Sequence, residues 1–161
     1  RLREFNGGSH EIPLYCADIM EPPRHLHGQF DAVIGFFTLH HLHDLAGSFT
    51  GMKHLLRPGG RIVFLEPNAL NPLYYIQIAI TPGMTWAGDR GIVNMRRNPI
   101  LAALRQAGLA QPVLERFGFF PPGITNTSWG GRIETLLEQV PLWKSLLPFQ
   151  LIRAGKPVGP P

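Results

Sequence analysis

The sequence has little cysteine and no long hydrophobic run. The single cysteine, Cys16, excludes an internal disulfide and any metal site built from cysteines alone. Because it lies in an apolar stretch, we expect it to be a buried small hydrophobe rather than a nucleophile. The longest apolar stretch, LYYIQIAI from Leu73 to Ile80, is far shorter than the roughly 18 residues a membrane-spanning helix needs. With no signal peptide visible, a cytoplasmic location is the default expectation.

Charge is also sparse. Charged residues make up 16% of the 161 residues, and the net charge of +4 is spread along the chain. The pair Arg96 and Arg97 is too small to form the basic patch that nucleic-acid binding requires, so we predict no nucleic-acid partner. The apolar fraction of 44% is typical of a globular domain with a core.

The first half of the chain alternates between strand and helix patterns. Three apolar stretches predict strands: IPLYCADI, FDAVIGFF and RIVFLEP. HDLAGSFTGMKHLL has apolar residues at helical spacing, and RPGG is expected to end that helix. The second strand is apolar almost throughout, which is typical of a strand buried on both faces. Short connections of this kind predict an α/β fold with a parallel sheet.

The second half begins with a long apolar segment, residues 69–98, interrupted by prolines. Beyond it, NPILAALRQAGL predicts a helix with Asn98 as its N-cap and Gly108 at its C-terminal end. QPVLERFGFF predicts a strand, GGRIETLLEQV a helix and LPFQLIRAGKP a last strand. At the start of the chain, RLREF is expected to be the end of a surface helix.

Polar residues follow the three strands of the first half. They are Asp18 with Ile19, the turn Phe36, Phe37 and Thr38, and then Glu66 with Asn68. Ligands of open parallel sheets bind beyond the carboxyl ends of the strands, so we expect these residues at one edge. A carboxylate beside an apolar residue suits an adenine. The carboxylate would accept a hydrogen bond from the exocyclic amine, and the apolar side chain would pack on the ring. Taken alone, Asp18 is better explained as a turn or helix-capping residue.

These motifs resemble the second half of the class I S-adenosylmethionine-dependent methyltransferases. FDAVIGFFTLHHL is similar to the family's fourth strand and following turn, and LLRPGGRIVFLEPN to its fifth strand. YCADI resembles the third strand, whose terminal acid contacts adenine. The resemblance implies a Rossmann-like sheet with an antiparallel last strand, S-adenosylmethionine as cofactor and methyl transfer as activity.

The sequence also departs from the family pattern. The family's first strand ends in a glycine-rich loop, (D/E)xGxGxG, and its second strand in an acid that holds the ribose; neither pattern occurs here. We therefore expect 1–161 to be a partial methyltransferase domain, truncated at the N-terminus. We expect the natural reading frame to extend roughly 60–100 residues upstream. These residues alone are expected to bind the cofactor weakly and to be inactive, with strand FDAVIGFF left as an exposed edge.

The resemblance implies roles for individual residues. The cofactor contacts would be Asp18, Ile19, Phe36, Phe37 and Thr38. His41 is the candidate general base or orienting group, since a base is needed only if the acceptor carries a proton. The alternative for His41 is a turn residue that bonds backbone or packs over the cofactor.

The segment 69–98 lies where family members carry a lid over the methyl acceptor. The predicted substrate contacts are His40, Glu66, Asn68, Tyr74, Tyr75 and Trp86. The acceptor is expected to be a small, apolar molecule, lipid-like compounds included, and the atom methylated (O, N or C) is left open. Two alternatives for the segment are contact with a membrane surface, which is not favoured, and ordinary core packing.

Five histidines (His25, His27, His40, His41 and His43) raise the question of a metal. No acid or cysteine joins them at a recognised ligand spacing, so no metal site is predicted. Two other functions remain open: a non-catalytic methyltransferase-like interaction module and a nucleotide-binding oxidoreductase. The oxidoreductase would not have the reversed last strand.

Overall fold

The computed structural model describes residues 13–119 and 125–159, and these form a four-stranded sheet. Its strands are β1 (Phe30–Phe36), β2 (Leu56–Pro67), β3 (Ala110–Phe117) and β4 (Phe149–Gly155), in the order β1-β2-β4-β3. β1 and β2 are parallel, while β4 is antiparallel to both of its neighbours. The predicted Rossmann-like α/β fold with a reversed last strand is confirmed.

In the described residues, six α-helices connect and cover the strands. They are α1 (Leu45–Leu55), α2 (Pro72–Ile80), α3 (Trp86–Asp89), α4 (Arg97–Gln106), α5 (Ser128–Gln139) and α6 (Pro141–Lys144), with 3₁₀ turns at Arg24–Leu26, Leu39–His41 and Arg90–Asn94. α1 begins at an N-cap, Asp44, whose side chain accepts a hydrogen bond from the amide of Gly47 at 2.9 Å. Such a cap satisfies an amide that the first helical turn leaves free.

The core lies between one face of the sheet and helices α1 and α4, which pack against each other. It is made of large apolar side chains with almost no exposed surface, among them Phe49, Met52, Ile62, Phe64, Ile100, Leu104 and Ile152. Removing this apolar surface from water is the main force holding the elements together. The polar edge of the sheet at the carboxyl end of β2 lies outside this core, and the segment after β2 covers it.

Several local predictions are wrong. Residues 13–18 belong to no strand, and Cys16 is exposed rather than buried. A segment becomes a strand only when a neighbour pairs with its backbone, and among the described residues this one has no such neighbour. The predicted helix RLREF lies outside the described residues.

Two further differences concern helix and turn boundaries. α4 begins at Arg97 after an N-cap, Arg96, that offers no side-chain hydrogen bond, so Asn98 is inside the helix and not its cap. Arg57 to Gly60, predicted only to end a helix, already belong to β2. The prediction for Gly108 is confirmed: its φ of +68° is the left-handed conformation that ends helices.

β1 is not buried on both faces in the described part of the chain. It pairs there with β2 alone, and Ile34 and Phe36 are 65% and 64% exposed. This agrees with the expected exposed edge. Asp31 of β1 forms an ion pair with Arg57 of β2.

Gly51 offers a test of how residues 13–20 are attached to the domain. It is buried in α1, and a Cβ at this position would collide with the main-chain carbonyl of Ile19. A Gly→Ala change within a helix ordinarily stabilises by roughly 0.5–1 kcal/mol. We expect Gly51→Ala instead to destabilise by about 1–3 kcal/mol, the usual cost of overpacking, as measured by denaturant unfolding.

The matched control is Gly159→Ala, because a Cβ there meets nothing within 4 Å. We expect it to change stability by less than about 0.5 kcal/mol. A Gly51→Ala protein more stable than the wild type would contradict the close contact.

Candidate functional site

The buried carboxyl group of Glu66 organises the carboxyl edge of the sheet. One oxygen, Oε1, accepts hydrogen bonds from the amides of Thr38 at 2.7 Å and Leu39 at 2.8 Å. The other, Oε2, contacts Nδ1 of His40 at 2.8 Å. Glu66 is 0% exposed, so its own chain supplies the partners that its burial requires. The end of β2 thereby fixes the turn that follows β1.

This turn begins with an unusual backbone conformation. Phe37 has a φ of +52°, which a residue with a side chain seldom adopts. Its amide donates to the carbonyl of Leu65 at 2.8 Å, and its ring meets that of Phe149 edge-on, with centroids 6.0 Å apart. Such strain persists only where neighbouring contacts determine the conformation, and it is common at functional sites.

The turn presents two adjacent imidazoles, His40 and His41, with ring centroids 4.0 Å apart. A carboxylate only accepts hydrogen bonds, so Nδ1 of His40 donates to Glu66 and its Nε2 is left as an acceptor. Nδ1 of His41 donates in the same way to the carbonyl of Gly88 at 3.2 Å. His40 is buried and His41 is exposed. Both rings are therefore oriented by an oxygen at Nδ1.

Facing Nε2 of His40 are a phenol and a second buried acid. The Tyr74 hydroxyl lies 3.5 Å from this nitrogen and donates to Oδ1 of Asp89 at 3.3 Å. Oδ1 of Asp89 is itself 3.7 Å from Nε2. Burial, followed by the nearby charge of Asp89, raises the pKa of Tyr74 to about 12. Tyr74 is therefore a neutral donor at ordinary pH.

The segment 69–98 covers this turn. The 3₁₀ turn Arg90–Asn94 lies so close to it that a Cβ on Gly91 would collide with the carbonyl of His40. A cavity of about 370 Å³ opens between the segment and the turn. Its walls are formed by Phe37, His40, His41, Tyr74, Gln77, Met84, Asp89 and Phe149. A second cavity, of about 720 Å³, lies on the other side of the same turn, against Arg90 and Asn94.

The predicted cofactor contacts lie in two places. Phe36, Phe37 and Thr38 are exposed at the end of β1. Asp18 is exposed in a turn, where Oδ1 accepts from the amide of Met20 at 2.9 Å, and Ile19 packs against the core. This hydrogen bond supports the interpretation of Asp18 as a turn residue. Its adenine contact stays a prediction.

The predicted substrate contacts divide in the same way. His40 and Tyr74 line the cavity. Asn68 is fully buried. Its side-chain NH₂ donates to the carbonyls of Ser145 and Leu147, and its Oδ1 accepts from the backbone amide of Leu70. The hydroxyl of Tyr75 donates to the carbonyl of Ala69 at 2.7 Å, and its ring stacks on Trp86. Asn68 and Tyr75 therefore have clear structural partners, and their roles toward a substrate stay predictions.

Asp89 is the buried acid of the site that the sequence analysis missed, together with Gln77 and Phe149 of the cavity wall. Its only signal was an acid within a largely apolar segment, since no motif surrounds it. It is 7% exposed and joins His40 and His41 in a group whose potential ligand atoms all lie within 4.8 Å of one another. His25, His27 and His43 do not belong to this group.

The comparisons with known proteins agree with this fold. The family model described as a methyltransferase domain matches residues 1–64. The solved structure of the [4+2]-cyclase SpnF is similar with a TM-score of 0.61 and 21% identity, over 98% of this chain and 60% of that one. No curated protein matches the sequence.

Two further solved structures are methyltransferases by description. A SAM-dependent methyltransferase of Thermotoga maritima, described as a possible histamine N-methyltransferase, has a TM-score of 0.58 and 13% identity, over 87% of this chain and 61% of that one. One of Archaeoglobus fulgidus has a TM-score of 0.55 and 16% identity, over 87% and 66%. The chain thus spans about three fifths of the structures it resembles. S-adenosylmethionine is the expected cofactor of methyltransferase domains such as the one this family model describes.

The described helices include none that combines the length and apolar character needed to cross a bilayer.

The role of Glu66 can be tested by Glu66→Gln. A glutamine can keep its oxygen toward the two amides only by turning its NH₂ group toward Nδ1 of His40, where two donors would meet. We expect a loss of about 1–3 kcal/mol in the free energy of unfolding, measured with denaturant. Glu115→Gln is the matched control, because the Glu115 pair with Arg153 is exposed and worth less than roughly 1 kcal/mol. Equal effects of the two changes would contradict the organising role of Glu66.

Proposed function

Because this chain carries the fold of the class I S-adenosylmethionine-dependent methyltransferases, we propose that it forms part of an enzyme that transfers a methyl group from S-adenosylmethionine to a small acceptor. The fold alone does not specify a reaction, as its similarity to a [4+2]-cyclase illustrates. The observation that carries the proposal is the cavity at the carboxyl edge of β1 and β2, walled by the histidine turn and covered by the segment 69–98.

The reaction is a displacement at the methyl carbon of a sulfonium. A lone pair of the acceptor attacks that carbon, the carbon–sulfur bond breaks with its electron pair going to sulfur, and S-adenosylhomocysteine leaves. If the attacking atom carries a proton, the proton passes to a base or to water. Alignment of the three atoms and exclusion of water supply most of the rate.

The cofactor is proposed to bind beside the exposed end of β1. Phe36, Phe37 and Thr38 lie there at the carboxyl end of the strand, which is where ligands of such sheets bind. Asp18 uses Oδ1 for its own turn, and in the described part of the chain Oδ2 has no recorded partner. That oxygen is available to accept from an adenine amine, while the apolar side chain of Ile19 lies next to it in sequence.

The acceptor is proposed to occupy the 370 Å³ cavity, with the segment 69–98 as its lid. The walls combine aromatic and apolar groups (Phe37, Phe149 and Met84) with one polar end made by His40, His41 and Asp89. A small, mostly apolar molecule with one polar reacting atom fits this distribution. Lipid-like compounds belong to that class.

His41 remains the proposed base for an acceptor proton. Its ring lines the cavity and its Nδ1 is held by the carbonyl of Gly88, which leaves Nε2 as an acceptor. Exposure keeps this imidazole in contact with solvent, to which it can return the proton after each turnover.

The cofactor proposal predicts the effect of Asp18→Ala in the intact enzyme of which this chain is proposed to form part. Loss of a hydrogen bond to a charged group, worth roughly 1.5–3 kcal/mol, should raise the KM for S-adenosylmethionine by about ten- to a hundredfold and leave the KM for the acceptor unchanged. Initial-rate kinetics at varied cofactor concentration measure both. Asp31→Ala is the control, because Asp31 only forms an exposed ion pair. An unchanged cofactor KM with lowered thermal stability would favour the turn role alone.

The methyl-transfer proposal is tested with the intact enzyme, by the release of S-adenosylhomocysteine in the presence of small apolar acceptors bearing a hydroxyl, an amine or an acidic carbon. His41→Ala should lower kcat by about 10²–10⁴-fold, the typical contribution of a general base, without weakening cofactor binding. His43→Ala, a neighbouring exposed histidine, should leave kcat near that of the wild type. A loss of kcat below tenfold for His41→Ala would rule out His41 as the general base. Cofactor binding without turnover of any acceptor would count against methyl transfer.

A further inference from the structure

We propose that His40, His41 and Asp89 bind a divalent transition-metal cation of the zinc class at the polar end of the acceptor cavity. This inference rests on the proposed function only for its chemical role, because the site itself is argued from the three side chains. Their potential ligand atoms lie within 4.8 Å of one another and belong to residues that line the same cavity.

The first argument concerns two acceptors that face each other. Nδ1 of His40 carries its proton toward Glu66, so Nε2 presents a lone pair, and 3.7 Å away lies the carboxylate oxygen Oδ1 of Asp89. This distance is too long for a hydrogen bond. The hydroxyl of Tyr74 has one proton and gives it to Asp89. Oδ1 therefore has one donor, while the same hydroxyl lies 3.5 Å from Nε2, and a cation between the nitrogen and the oxygen would use a lone pair of each.

The second argument is the way the imidazoles are held. A histidine that binds a metal almost always donates its other ring N–H to a carboxylate or a backbone carbonyl, which fixes the tautomer and the ring orientation. His40 donates to Glu66 at 2.8 Å, and His41 donates to the carbonyl of Gly88 at 3.2 Å. Both rings therefore have the supporting contact that metal ligands require.

The geometry is within reach of coordination. With bonds of roughly 2.0–2.2 Å, ligand atoms of a tetrahedral zinc site lie about 3.3–3.5 Å apart. The His40–Asp89 separation of 3.7 Å is close to this value. The ligand atoms all lie within 4.8 Å of one another, at most roughly 1.4 Å beyond this value, so binding requires a small shift of the exposed His41 ring with its Gly88 contact retained.

The donor set selects the class of cation. Two imidazole nitrogens with one carboxylate suit Zn²⁺, Fe²⁺, Co²⁺ or Ni²⁺, whereas Mg²⁺ and Ca²⁺ prefer oxygen ligands. Three protein ligands leave a coordination position open, as in catalytic rather than structural zinc sites. Since all three residues line the cavity, the open position faces the proposed acceptor.

A cation here would change how the acceptor loses its proton. An acceptor oxygen bound at the open position has a lowered pKa and releases its proton to water. The resulting oxyanion attacks the methyl carbon, and the carbon–sulfur bond breaks to give S-adenosylhomocysteine. The alternative reading of the same contacts is a metal-free network in which His40 carries a positive charge between Glu66 and Asp89.

The test is direct cation binding, measured without cofactor or acceptor. The protein is stripped with a chelator and titrated with Zn²⁺ in competition with a chromogenic chelator, and Co²⁺ is added separately to record its visible spectrum. We expect one equivalent of Zn²⁺ to bind, and His41→Ala and Asp89→Asn each to weaken it tenfold or more. His43→Ala and Asp31→Asn are matched controls and should bind as the wild type does.

A second variant addresses the supporting contact. Glu66→Gln leaves all three ligands in place and should weaken Zn²⁺ binding by about 10–100-fold. Far-UV circular dichroism of every variant separates loss of a ligand from loss of the fold. Because His41 is exposed, His41→Ala is the substitution expected to disturb the fold least.

Three results would overturn the proposal. They are the absence of one-equivalent Zn²⁺ binding, equal affinity in the folded His41→Ala and wild-type proteins, and a thiolate charge-transfer band in the Co²⁺ spectrum, which would place the ion at exposed Cys16. Methyl transfer assayed with and without chelator keeps the two proposals distinct. Zn²⁺ binding without methyl transfer by the intact enzyme would support the metal site and contradict the methyl-transfer proposal. Turnover that survives complete chelation, with His41→Ala still slow, assigns His41 as base and refutes the metal's role.

Discussion

The site depends on one buried interaction, that of the Glu66 carboxyl group with the turn after β1. Three donors from Thr38, Leu39 and His40 converge on its two oxygens at 2.7–2.8 Å. The carboxyl is fully buried, so leaving any of these donors unpaired would cost more than the bond itself contributes. The orientation of His40, and with it the direction in which Nε2 faces Asp89, follows from this anchoring. A single glutamate thus joins the ends of two strands to a cavity wall.

Much of the fold could be predicted from the sequence because it depends on local patterns. The apolar runs of β1 and β2, the helical spacing of α1 and the glycine stop after α4 all lie where they were expected. The strand expected at residues 13–18 failed, because strand formation depends on a pairing partner and not on composition. Cys16 was misplaced for the same reason. Asn98 was misread because a favourable capping residue does not fix where a helix starts.

The site could be predicted only in part. The polar residues after β1 and β2 were located by the rule that parallel strands place their carboxyl ends at one edge. The use of Glu66 could not be foreseen, since its partners lie 26 to 28 residues away in the chain. Asp89 was missed because a segment with no fixed periodicity does not reveal which side chain turns inward. α2 shows the difficulty, since Leu73, Ile76 and Ile80 are exposed while Ile78 is buried.

The close approach of Gly91 to the carbonyl of His40 has a mechanical consequence. Two backbones in direct contact, with no side chain between them, have no compressible layer that could absorb relative sliding. A displacement of the Arg90–Asn94 turn wide enough to admit a molecule would therefore carry the His40–His41 turn with it, or break the contact altogether. While the contact holds, movement of the Arg90–Asn94 turn and alignment of the two imidazoles are therefore mechanically coupled.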